Sequence, residues 1–460
     1  MLTKSLLIHN SHNDFSQGTF ESTEIIPNEN SIKLIFYNNK YAIKGSYISS
    51  IIHTVDFKNL ILSWNATTPI GTYIEIYCRV LVKNNWSKWL NIATWCTYSD
   101  KFSGKSDTSD HIACVNADTL LVKGSKNRGT AFQYKINFIT KNPNSSPSVR
   151  LISASLKIID ENLTNNKISF YNETEHKIST FEGILNVIKY SQMTKDPKIA
   201  SVMCSATSSS MVLNYYGVKI TPEEVAAGVY DSVYDGFGNW PFNTAFISTF
   251  GLESYIQYFD SIADIKKELF NNNPVIVSVR YRQPSVHKDL PIISNAPTSY
   301  TNGHIIVVTG FIRENGKEYV VVNDPAASND ENVSLKYLLS EFLEAWNNKV
   351  AYVVHKTTDA ILQPHRIPAT LYRTGNEKII DYLVYSEYKL KVDNTEIDIS
   401  QNSVSTIMFK NCTDLTFNKY CSIEDTSSCW VANKEISDWA LDFMFICKNG
   451  MTYIASKRRE

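Results

Sequence analysis

The sequence predicts a multidomain protein with an N-terminal all-β sandwich of jelly-roll type, a central α+β domain and a C-terminal domain that is mostly β. Short β-branched and aromatic runs between turn signals fill residues 1–160, which is typical of a sandwich. Helical and strand-like segments are mixed over residues 181–365, and strand-like runs return over residues 366–460. The stretch between the first two domains, residues 161–180, is polar and lacks periodicity, so we expect a linker there.

The prediction for the N-terminal domain depends on eight strand-like runs. They are Ile32–Tyr37, Tyr47–Ile52, Leu60–Trp64, Thr72–Val82, Trp89–Trp95, Thr119–Val122, Gln133–Ile139 and Val149–Ile159. Four tryptophans could form a stacking surface for sugar or peptide, or could pack in the core and at strand edges: Trp64, Trp86, Trp89 and Trp95. Under the first interpretation the domain would bind a cell-envelope glycan or a protein ligand.

Composition and charge exclude several classes of function. The chain has 460 residues, 43% of them hydrophobic, and a formal net charge of -1, so its bulk charge does not indicate binding to nucleic acid or to an anionic membrane. No run of about 18 apolar residues is present to span a bilayer. The first residues carry too short an apolar stretch for a secretory signal, so we expect a cytoplasmic protein or a secreted one whose leader is absent. No CxxC, HExxH, phosphate-binding loop or EF-hand loop occurs, so we expect no metal and no cofactor.

The central domain is organised around a cysteine at the start of a predicted helix. Cys204 lies where an irregular segment turns into a helical run, Ser205–Tyr216, that ends at Gly217. Unpaired backbone N–H groups and the positive end of the helix dipole favour the thiolate, which is the nucleophilic form. A lone cysteine there is more often a small buried apolar residue, so the functional interpretation needs a base elsewhere. The other seven cysteines lie in the flanking domains, where Cys421 and Cys429 could be bridged or could be free buried thiols.

A base and its orienting carboxylate are predicted on a β-hairpin. His304 precedes an apolar run that is typical of a buried strand, and Glu314–Lys317 contains Asn-Gly, the strongest short hairpin signal. The second strand, Glu318–Val322, ends just before Asp324. If the two strands pair across the turn, Asp324 lies opposite His304 and can hold one imidazole nitrogen while the other faces Cys204.

These residues resemble the bacteriocin-processing (double-glycine leader) cysteine peptidases and their soluble bacterial relatives, a branch of the papain-like clan. The resemblance covers roughly residues 180–365 and depends on four motifs: Tyr190-Ser191-Gln192, Met203-Cys204-Ser205-Ala206-Thr207-Ser208, Gly303-His304 and Asn323-Asp324-Pro325. It implies a papain-like fold with Cys204 as nucleophile, His304 as general base and Asp324 as the orienting carboxylate. It also implies that Gln192 donates to the oxyanion.

Two departures from the family pattern lie close to the nucleophile. Ser205 follows the cysteine where the transporter-linked enzymes commonly have glycine. Gln192 lies 12 positions before Cys204, which is further than in those enzymes. In the N-terminal domain, the stretch SWNATTPIGTYIEIYCRV followed by NNWSKWLNIATW resembles the β-sandwich module that precedes the catalytic domain in soluble bacterial relatives.

Local signals predict the remaining elements. In the central domain they are a capped helix from Thr221 to about Tyr230, a short helix from Phe242, a helix Ser261–Phe270, a buried strand Pro274–Tyr281, a capped helix Ser334–Trp346 and a strand Lys349–His355. Trp240 could line the substrate cleft or could pack internally. The polar loop Arg282–Thr301 is predicted to be a flap at the substrate site, and His287 within it is a rival base that lacks the strand and hairpin of His304. The C-terminal runs, which carry no motif, are Ile380–Tyr385, Tyr388–Val392, Thr406–Phe409, Phe443–Cys447 and Met451–Ala455.

The leading interpretation is a cysteine peptidase that cleaves a peptide or protein substrate through a thioester acyl-enzyme. The same triad serves transglutaminases and amidases, in which an amine replaces water or the bond is not a main-chain peptide. A third interpretation is a binding protein whose triad has decayed. The reactivity of Cys204 toward alkylating agents would separate the last interpretation from the first two.

Overall fold

The computed structural model describes residues 5–357 except 70, 98–100, 105–106 and 159–172, and from residue 365 onward it describes only the backbone of β-strands. The described chain is mostly β and contains several sheets. None of its helices is long and apolar enough to cross a membrane. Several predictions fall outside the described residues: the strand Thr406–Phe409, the disulfide between Cys421 and Cys429, and the side chains of Cys412, Cys447 and Trp430.

The N-terminal domain is built from antiparallel strands. They are β1 (Leu6–His9), β2 (Thr19–Glu21), β3 (Thr23–Ile26), β4 (Ser31–Leu34), β5 (Phe36–Tyr37), β6 (Lys40–Tyr41), β7 (Lys44–Ile48), β8 (Ile52–Thr67), β9 (Thr72–Val82), β10 (Asn85–Trp86), β11 (Leu90–Trp95), β12 (Phe102–Ser103), β13 (Ala113–Asn116), β14 (Thr119–Val122), β15 (Gly129–Thr140) and β16 (Ser148–Ile158), and helix α1 (His12–Ser16) follows β1. Within the described residues, hydrogen bonds join fourteen of these strands into one sheet, whose main path is β12-β11-β9-β15-β8-β16-β4-β3.

The strand predictions for this domain are confirmed where alternation is strong. Strands β9 and β14 begin and end at the predicted residues, and alternate side chains of β9 are buried along its whole length. This is the pattern of a strand with one face on a core. The description of the domain as a two-layer sandwich of jelly-roll type stays a prediction.

The central domain combines helices with a seven-stranded antiparallel sheet. Its helices are α2 (Glu173–Ser179), α3 (Cys204–Tyr215), α4 (Pro222–Val229), α5 (Trp240–Ser248), α6 (Ile262–Phe270) and α7 (Leu339–Ala345), and its strands are β17 (Gly183–Ile184), β18 (Leu252–Tyr258), β19 (Val275–Arg282), β20 (Tyr300–Glu314), β21 (Lys317–Asn323), β22 (Ser334–Leu338) and β23 (Val350–Lys356). The sheet order is β18-β23-β19-β20-β21-β22, and β17 pairs with β20. Part of the predicted linker is therefore helical, because α2 lies within residues 161–180.

The predicted hairpin is confirmed. Strands β20 and β21 pair with Val307 opposite Asn323, and their turn has positive φ at both Asn315 (50°) and Gly316 (74°). Positive φ at both central residues is the geometry of a type I′ turn, which asparagine and glycine adopt most easily. The turn therefore sets the register that brings the chain after β21 toward the start of β20.

The predicted helix over Ser334–Trp346 is wrong in its first part. Residues of β22 pair with β21, with Tyr319 opposite Leu338 and Asn323 opposite Ser334. Only the stretch from Leu339 onward is helical. The cause is tertiary: the open edge of β21 offers a row of hydrogen-bonding partners to a segment whose helical propensity is not strong enough to prevail.

The C-terminal part is described as strands only. They are β24 (His365–Arg373), β25 (Glu377–Ser386), β26 (Leu390–Val392), β27 (Thr395–Ile397), β28 (Phe417–Lys419), β29 (Ser422–Ile423), β30 (Ser428–Asn433), β31 (Leu441–Ile446) and β32 (Thr452–Ser456). Strands β25, β26, β31 and β32 overlap four of the predicted runs, so the mostly β character of this part agrees with the prediction.

The first two domains share one continuous apolar core. Trp64 and Trp95 are fully buried, and their rings contact Phe242 of α5 with centroids 6.0 and 5.4 Å away. A stacking surface for sugar is therefore wrong for these two tryptophans, because α5 covers them. Trp86 and Trp89 lie elsewhere and hold the Arg79 guanidinium between them, 4.7 and 4.6 Å from their ring centroids. A glycan or protein ligand of this domain stays a prediction.

Side chains of the N-terminal domain also close the outer edge of the central sheet. Three alternate N–H groups of β18 each donate to a side-chain oxygen of β8 or β16: Ser254 to Asn65 (3.2 Å), Ile256 to Ser63 (2.9 Å) and Tyr258 to Ser155 (2.7 Å). The Asn65 amide returns a bond to the Ser254 carbonyl at 2.6 Å. An open edge strand can pair with other chains. In β18 these three N–H groups and the Ser254 carbonyl are instead bonded within the protein.

We expect Asn65→Ala to lower the free energy of unfolding by about 2–4 kcal/mol, because it leaves a buried N–H and a buried C=O of Ser254 without partners. Chemical denaturation followed by circular dichroism measures the loss. The matched control is Asn85→Ala, which removes an exposed amide bonded to the Lys83 carbonyl and should change stability by less than about 0.5 kcal/mol. Equal losses in the two variants would show that the bonds to β18 contribute nothing of their own.

Candidate active site

Helix α3 presents Cys204 at its first residue. The residue before it, Met203, provides no side-chain cap, so the N–H groups of the first turn remain directed toward the thiol end of the helix. Among these groups the Ser205 N–H hydrogen-bonds the Cys204 sulfur, and a second N–H comes from Ile305 on β20. The thiol therefore lies between the start of α3 and the first half of β20, where two backbone donors can stabilise a negative charge.

Buried hydroxyl groups fix the helix against the sheet. The Ser205 hydroxyl hydrogen-bonds the Tyr352 hydroxyl of β23 at 2.9 Å, and the Ser208 hydroxyl donates to the Ile305 carbonyl at 3.0 Å. Ser205, the residue that departs from the family pattern, is thus used as an anchor. Because Ile305 directly follows His304, the Ser208 bond also fixes the spacing between the cysteine and the histidine.

His304 and Asp324 form a buried pair beside the thiol. The imidazole Nε2 lies 2.7 Å from Asp324 Oδ1, with the histidine 6% exposed and the aspartate completely buried. This bond leaves Nδ1 for Cys204, and the thiol and the imidazole hydrogen-bond each other. The structure brings the three residues together in the order that the sequence analysis expects, while their catalytic roles stay a proposal.

The pKa values of the three groups favour the charged forms. Burial would lower the pKa of His304, but the charge and hydrogen bonds of Asp324 and Cys204 outweigh it and raise the pKa to about 10. Burial would raise the pKa of the Cys204 thiol, and the His304 bond with the two backbone donors brings it below its ordinary value. Burial would likewise raise the pKa of Asp324, yet it is lowered because His304 and other donors surround the carboxylate. The shifts at Cys204 and His304 therefore both favour a thiolate beside an imidazolium.

Two further donors hold the Asp324 carboxylate. The Ala326 N–H donates to Oδ1 at 2.9 Å and the Tyr337 hydroxyl of β22 donates to Oδ2 at 2.6 Å. Nearby, the ring of Tyr281 stands edge-on to the imidazole of His304, with centroids 6.2 Å apart. The sequence analysis missed both tyrosines. No local sequence signal marks Tyr337, because its burial in the run SLKYL follows from the pairing of β22 with β21.

Gln192 lies beside the loop that carries the aspartate. Its backbone N–H donates to the Pro325 carbonyl at 2.8 Å, and its side-chain Nε2 donates to the Ala200 carbonyl at 2.7 Å. Ala200 belongs to the 3₁₀ turn that ends two residues before Cys204, so this bond ties Gln192 to the segment that leads into α3. The bond to Ala200 uses one of the two N–H groups of the Gln192 side-chain amide, and the other could donate to a ligand. The role of Gln192 as an oxyanion donor stays a proposal.

The other predicted site residues lie in different surroundings. Trp240 begins α5, packs partly against the shared core and donates its backbone N–H to Asp118 of the N-terminal domain at 2.9 Å. A role for Trp240 in the cleft stays a prediction. His287 is exposed in the long loop between β19 and β20. Among the described residues no group of three or more histidine, cysteine or acidic side chains is arranged to hold a metal ion.

The predicted flap is tied to the domain body. The Ser294 hydroxyl donates to Glu341 of α7 at 2.6 Å, and the Thr298 hydroxyl lies 3.0 Å from the Tyr281 hydroxyl. Ile293 is completely buried in the core under this loop. The loop therefore connects α7 with the tyrosine that packs on His304, while its function as a flap stays a prediction.

Two protein-family models match the chain. Residues 184–353 match the model of the Peptidase_C39 like family, and residues 6–156 match the model of the Peptidase C39 N-terminal domain. No curated protein matches the chain.

Parts of the chain are similar to solved structures. A protein from Bacillus anthracis described as a C39-like peptidase is 18% identical with a TM-score of 0.29, and the match covers 39% of this chain and 100% of that one. Procathepsin B from Trypanosoma congolense is 12% identical with a TM-score of 0.26, over 44% of this chain and 86% of that one. Procathepsin L 3 from the larval midgut of Tenebrio molitor is 10% identical with a TM-score of 0.22, over 40% and 78%. The chain therefore carries a Peptidase_C39-like domain at residues 184–353, preceded by a Peptidase C39 N-terminal domain at residues 6–156.

Proposed function

We propose that the protein is a cysteine peptidase that cleaves peptide bonds of a peptide or protein substrate through a Cys204 thioester. The observation that carries this proposal is the continuous hydrogen-bonded series from the buried Asp324 through His304 to the half-buried Cys204 thiol at the start of α3. Nucleophilic catalysis of this kind uses a nucleophile, a base and an orienting carboxylate in mutual contact, and the contacts among Cys204, His304 and Asp324 support these roles. The family match supports the same reaction class.

In the proposed acylation step, the Cys204 thiolate attacks the carbonyl carbon and the carbonyl π electrons move to oxygen. The His304 imidazolium then gives its proton to the leaving amine as the carbon–nitrogen bond breaks, so that a thioester and a neutral imidazole remain. In deacylation, His304 takes a proton from water, the hydroxyl adds to the thioester carbon, and the acid leaves as the thiolate and the imidazolium are restored. Asp324 keeps the imidazole oriented and stabilises its positive charge throughout.

The proposed oxyanion site uses backbone and side-chain donors together. Unpaired N–H groups at the start of α3 lie next to the sulfur, and the second amide N–H of Gln192 is the side-chain candidate. Because preorganised donors act on the charge that develops in the transition state, losing one typically costs on the order of 100- to 1,000-fold in rate. Gln192 is supported by its placement between Pro325 and Ala200, next to both catalytic elements.

The identity of the acceptor is tested by product analysis on the purified full chain. We expect a peptide library incubated with the protein to give fragments with new carboxyl termini, and an excess of a primary amine to leave free acids as the main products. Mass spectrometry of the fragments, with and without the amine, measures this ratio. The Cys204→Ala variant prepared in parallel controls for contaminating peptidases. Amide products that replace the acids would change the assignment to transamidation, and no Cys204-dependent product under either condition would overturn the proposal.

A further inference from the structure

We propose that Tyr337 is a positioning residue of this site, whose hydroxyl holds the Asp324 carboxylate in the orientation that the His304–Cys204 pair requires. The inference depends on the proposed function, because it concerns how the same triad is held. The inference goes beyond the proposed function because it names a residue that touches neither the substrate nor the reacting sulfur. Tyr337 acts through Asp324.

The geometry assigns each carboxylate oxygen a separate task. Oδ1 accepts from His304 Nε2 at 2.7 Å and from the Ala326 N–H at 2.9 Å, whereas the described bond to Oδ2 comes from the Tyr337 hydroxyl at 2.6 Å. Asp324 and Tyr337 are both completely buried. Charge-assisted hydrogen bonds of this kind are short and strong, and bulk water has no access to replace one of them.

The strand that carries Tyr337 is rigidly placed. Strand β22 pairs with β21 along its whole length, with Tyr337 opposite Val320 and Ser334 opposite Asn323. The Asp324 N–H donates to the Val333 carbonyl at 2.8 Å, so the residue just before β22 holds the aspartate backbone as well. The tyrosine and the aspartate therefore belong to one hydrogen-bonded unit, which suits a positioning role.

Removing the hydroxyl has a predictable effect on the charges of the site. The buried carboxylate would lose the Tyr337 donor, although Tyr281 also hydrogen-bonds Asp324. The loss disfavours the ionised carboxylate and raises the pKa of Asp324. A weaker negative charge at Asp324 lowers the pKa of His304, and a less stable imidazolium raises the pKa of Cys204. The titratable groups that face the carboxylate come from four elements, namely Cys204 on α3, Tyr281 on β19, His304 on β20 and Tyr337 on β22. The thiolate should therefore form only at higher pH.

The test is the Tyr337→Phe variant, studied by the rate of iodoacetamide labelling at Cys204 against pH and by steady-state kinetics on a cleaved peptide. We expect the acid limb of the labelling profile to move to higher pH. We expect kcat to fall roughly 10- to 100-fold with KM little changed, because general acid–base catalysis worth about 10²–10⁴ is weakened rather than lost. A tyrosine with a merely structural role would reduce stability without moving the limb.

A double-mutant cycle separates action through Asp324 from other effects. In the Asp324→Ala background, Tyr337→Phe should produce no further shift of the limb, because its target is gone. The matched control is Tyr47→Phe, which removes a buried hydroxyl bond to the Phe15 carbonyl in the N-terminal domain (3.0 Å) and should leave the limb unchanged.

Two outcomes would overturn the inference, and they differ from failure of the proposed function. If His304→Ala does not alter labelling of Cys204, the proposed function fails and this inference fails with it. If His304→Ala and Asp324→Ala move the limb but Tyr337→Phe does not, only the role of Tyr337 is wrong. If the Tyr337→Phe variant does not fold, an NMR measurement on the wild-type protein tests the inference instead. Its Tyr337 hydroxyl proton should give a slowly exchanging, low-field NMR resonance that is lost in Asp324→Ala, and absence of that resonance also overturns the inference.

Discussion

Cys204→Ala is expected to lower kcat for peptide hydrolysis by roughly 10⁴-fold or more, with the fold intact. Losses of this size follow removal of a nucleophile, because the base and the orienting carboxylate act only through it. An alanine at position 204 is compatible with the first residue of a helix. The hydrogen bonds that fix α3, Ser205–Tyr352 and Ser208–Ile305, do not involve the sulfur. Initial rates on a cleaved peptide measure the activity, and thermal unfolding measures the fold.

The matched control for this prediction is Cys78→Ala. Cys78 is completely buried in the N-terminal domain, where burial raises the pKa of its thiol, so it is an inert cysteine of the same chain. Its replacement should leave kcat within about twofold, since substitutions far from the chemistry change stability rather than transition-state binding. Full activity in Cys204→Ala would mean that the nucleophile lies elsewhere.

His304→Ala is expected to change the pH dependence of Cys204 as strongly as it changes turnover. In the wild type, the lowered pKa of Cys204 and the raised pKa of His304 allow the thiolate–imidazolium pair to exist between the two values. Labelling by iodoacetamide should then stay fast well below the ordinary thiol pKa of about 8.5. Without the histidine, burial still raises the pKa of Cys204 and its partner is gone, so fast labelling should require alkaline pH. At pH 6 we expect a difference on the order of 10- to 100-fold.

The structure supplies a close control for that experiment in the same sheet. His355 on β23 pairs with Glu268 at 2.9 Å, and this pair also raises the pKa of the histidine. His355→Ala therefore removes a histidine–carboxylate pair without touching the series at Cys204. Its labelling profile should coincide with that of the wild type. Identical profiles for His304→Ala and the wild type would favour a binding protein built on a cysteine-peptidase-like fold.

Features that depend only on residues close together in the sequence could be predicted. The Asn-Gly turn sets the β20–β21 register by its own backbone preference, and the Thr221–Glu224 capping box, with bonds of 2.6 and 3.2 Å, marks the start of α4. The first turn of α5 begins two residues earlier than predicted, because Asn239 caps it through the Phe242 N–H at 3.2 Å. Local rules thus place Cys204, His304 and Asp324 on or next to their elements.

Features that depend on contacts between distant segments could not be predicted. The sequence predicts a helix at Tyr337 because the run from Ser334 continues into helical sequence. Only pairing with β21 makes the first five residues of that run a strand. The burial of Trp64 and Trp95 depends on the approach of Phe242, which lies far later in the chain than either tryptophan. No local pattern distinguishes a tryptophan that stacks on a ligand from one that packs on another domain.

The closed edge of β18 has a consequence for the order in which the chain is made. Residues 6–158 leave the ribosome before β18, and domains generally fold as units during synthesis. The serine and asparagine side chains of β8 and β16 can therefore be in place when β18 emerges, as a template for its outward N–H groups. In this respect the N-terminal domain can act as a covalently attached template, because it offers partners to one open edge of the following domain as soon as that edge is made.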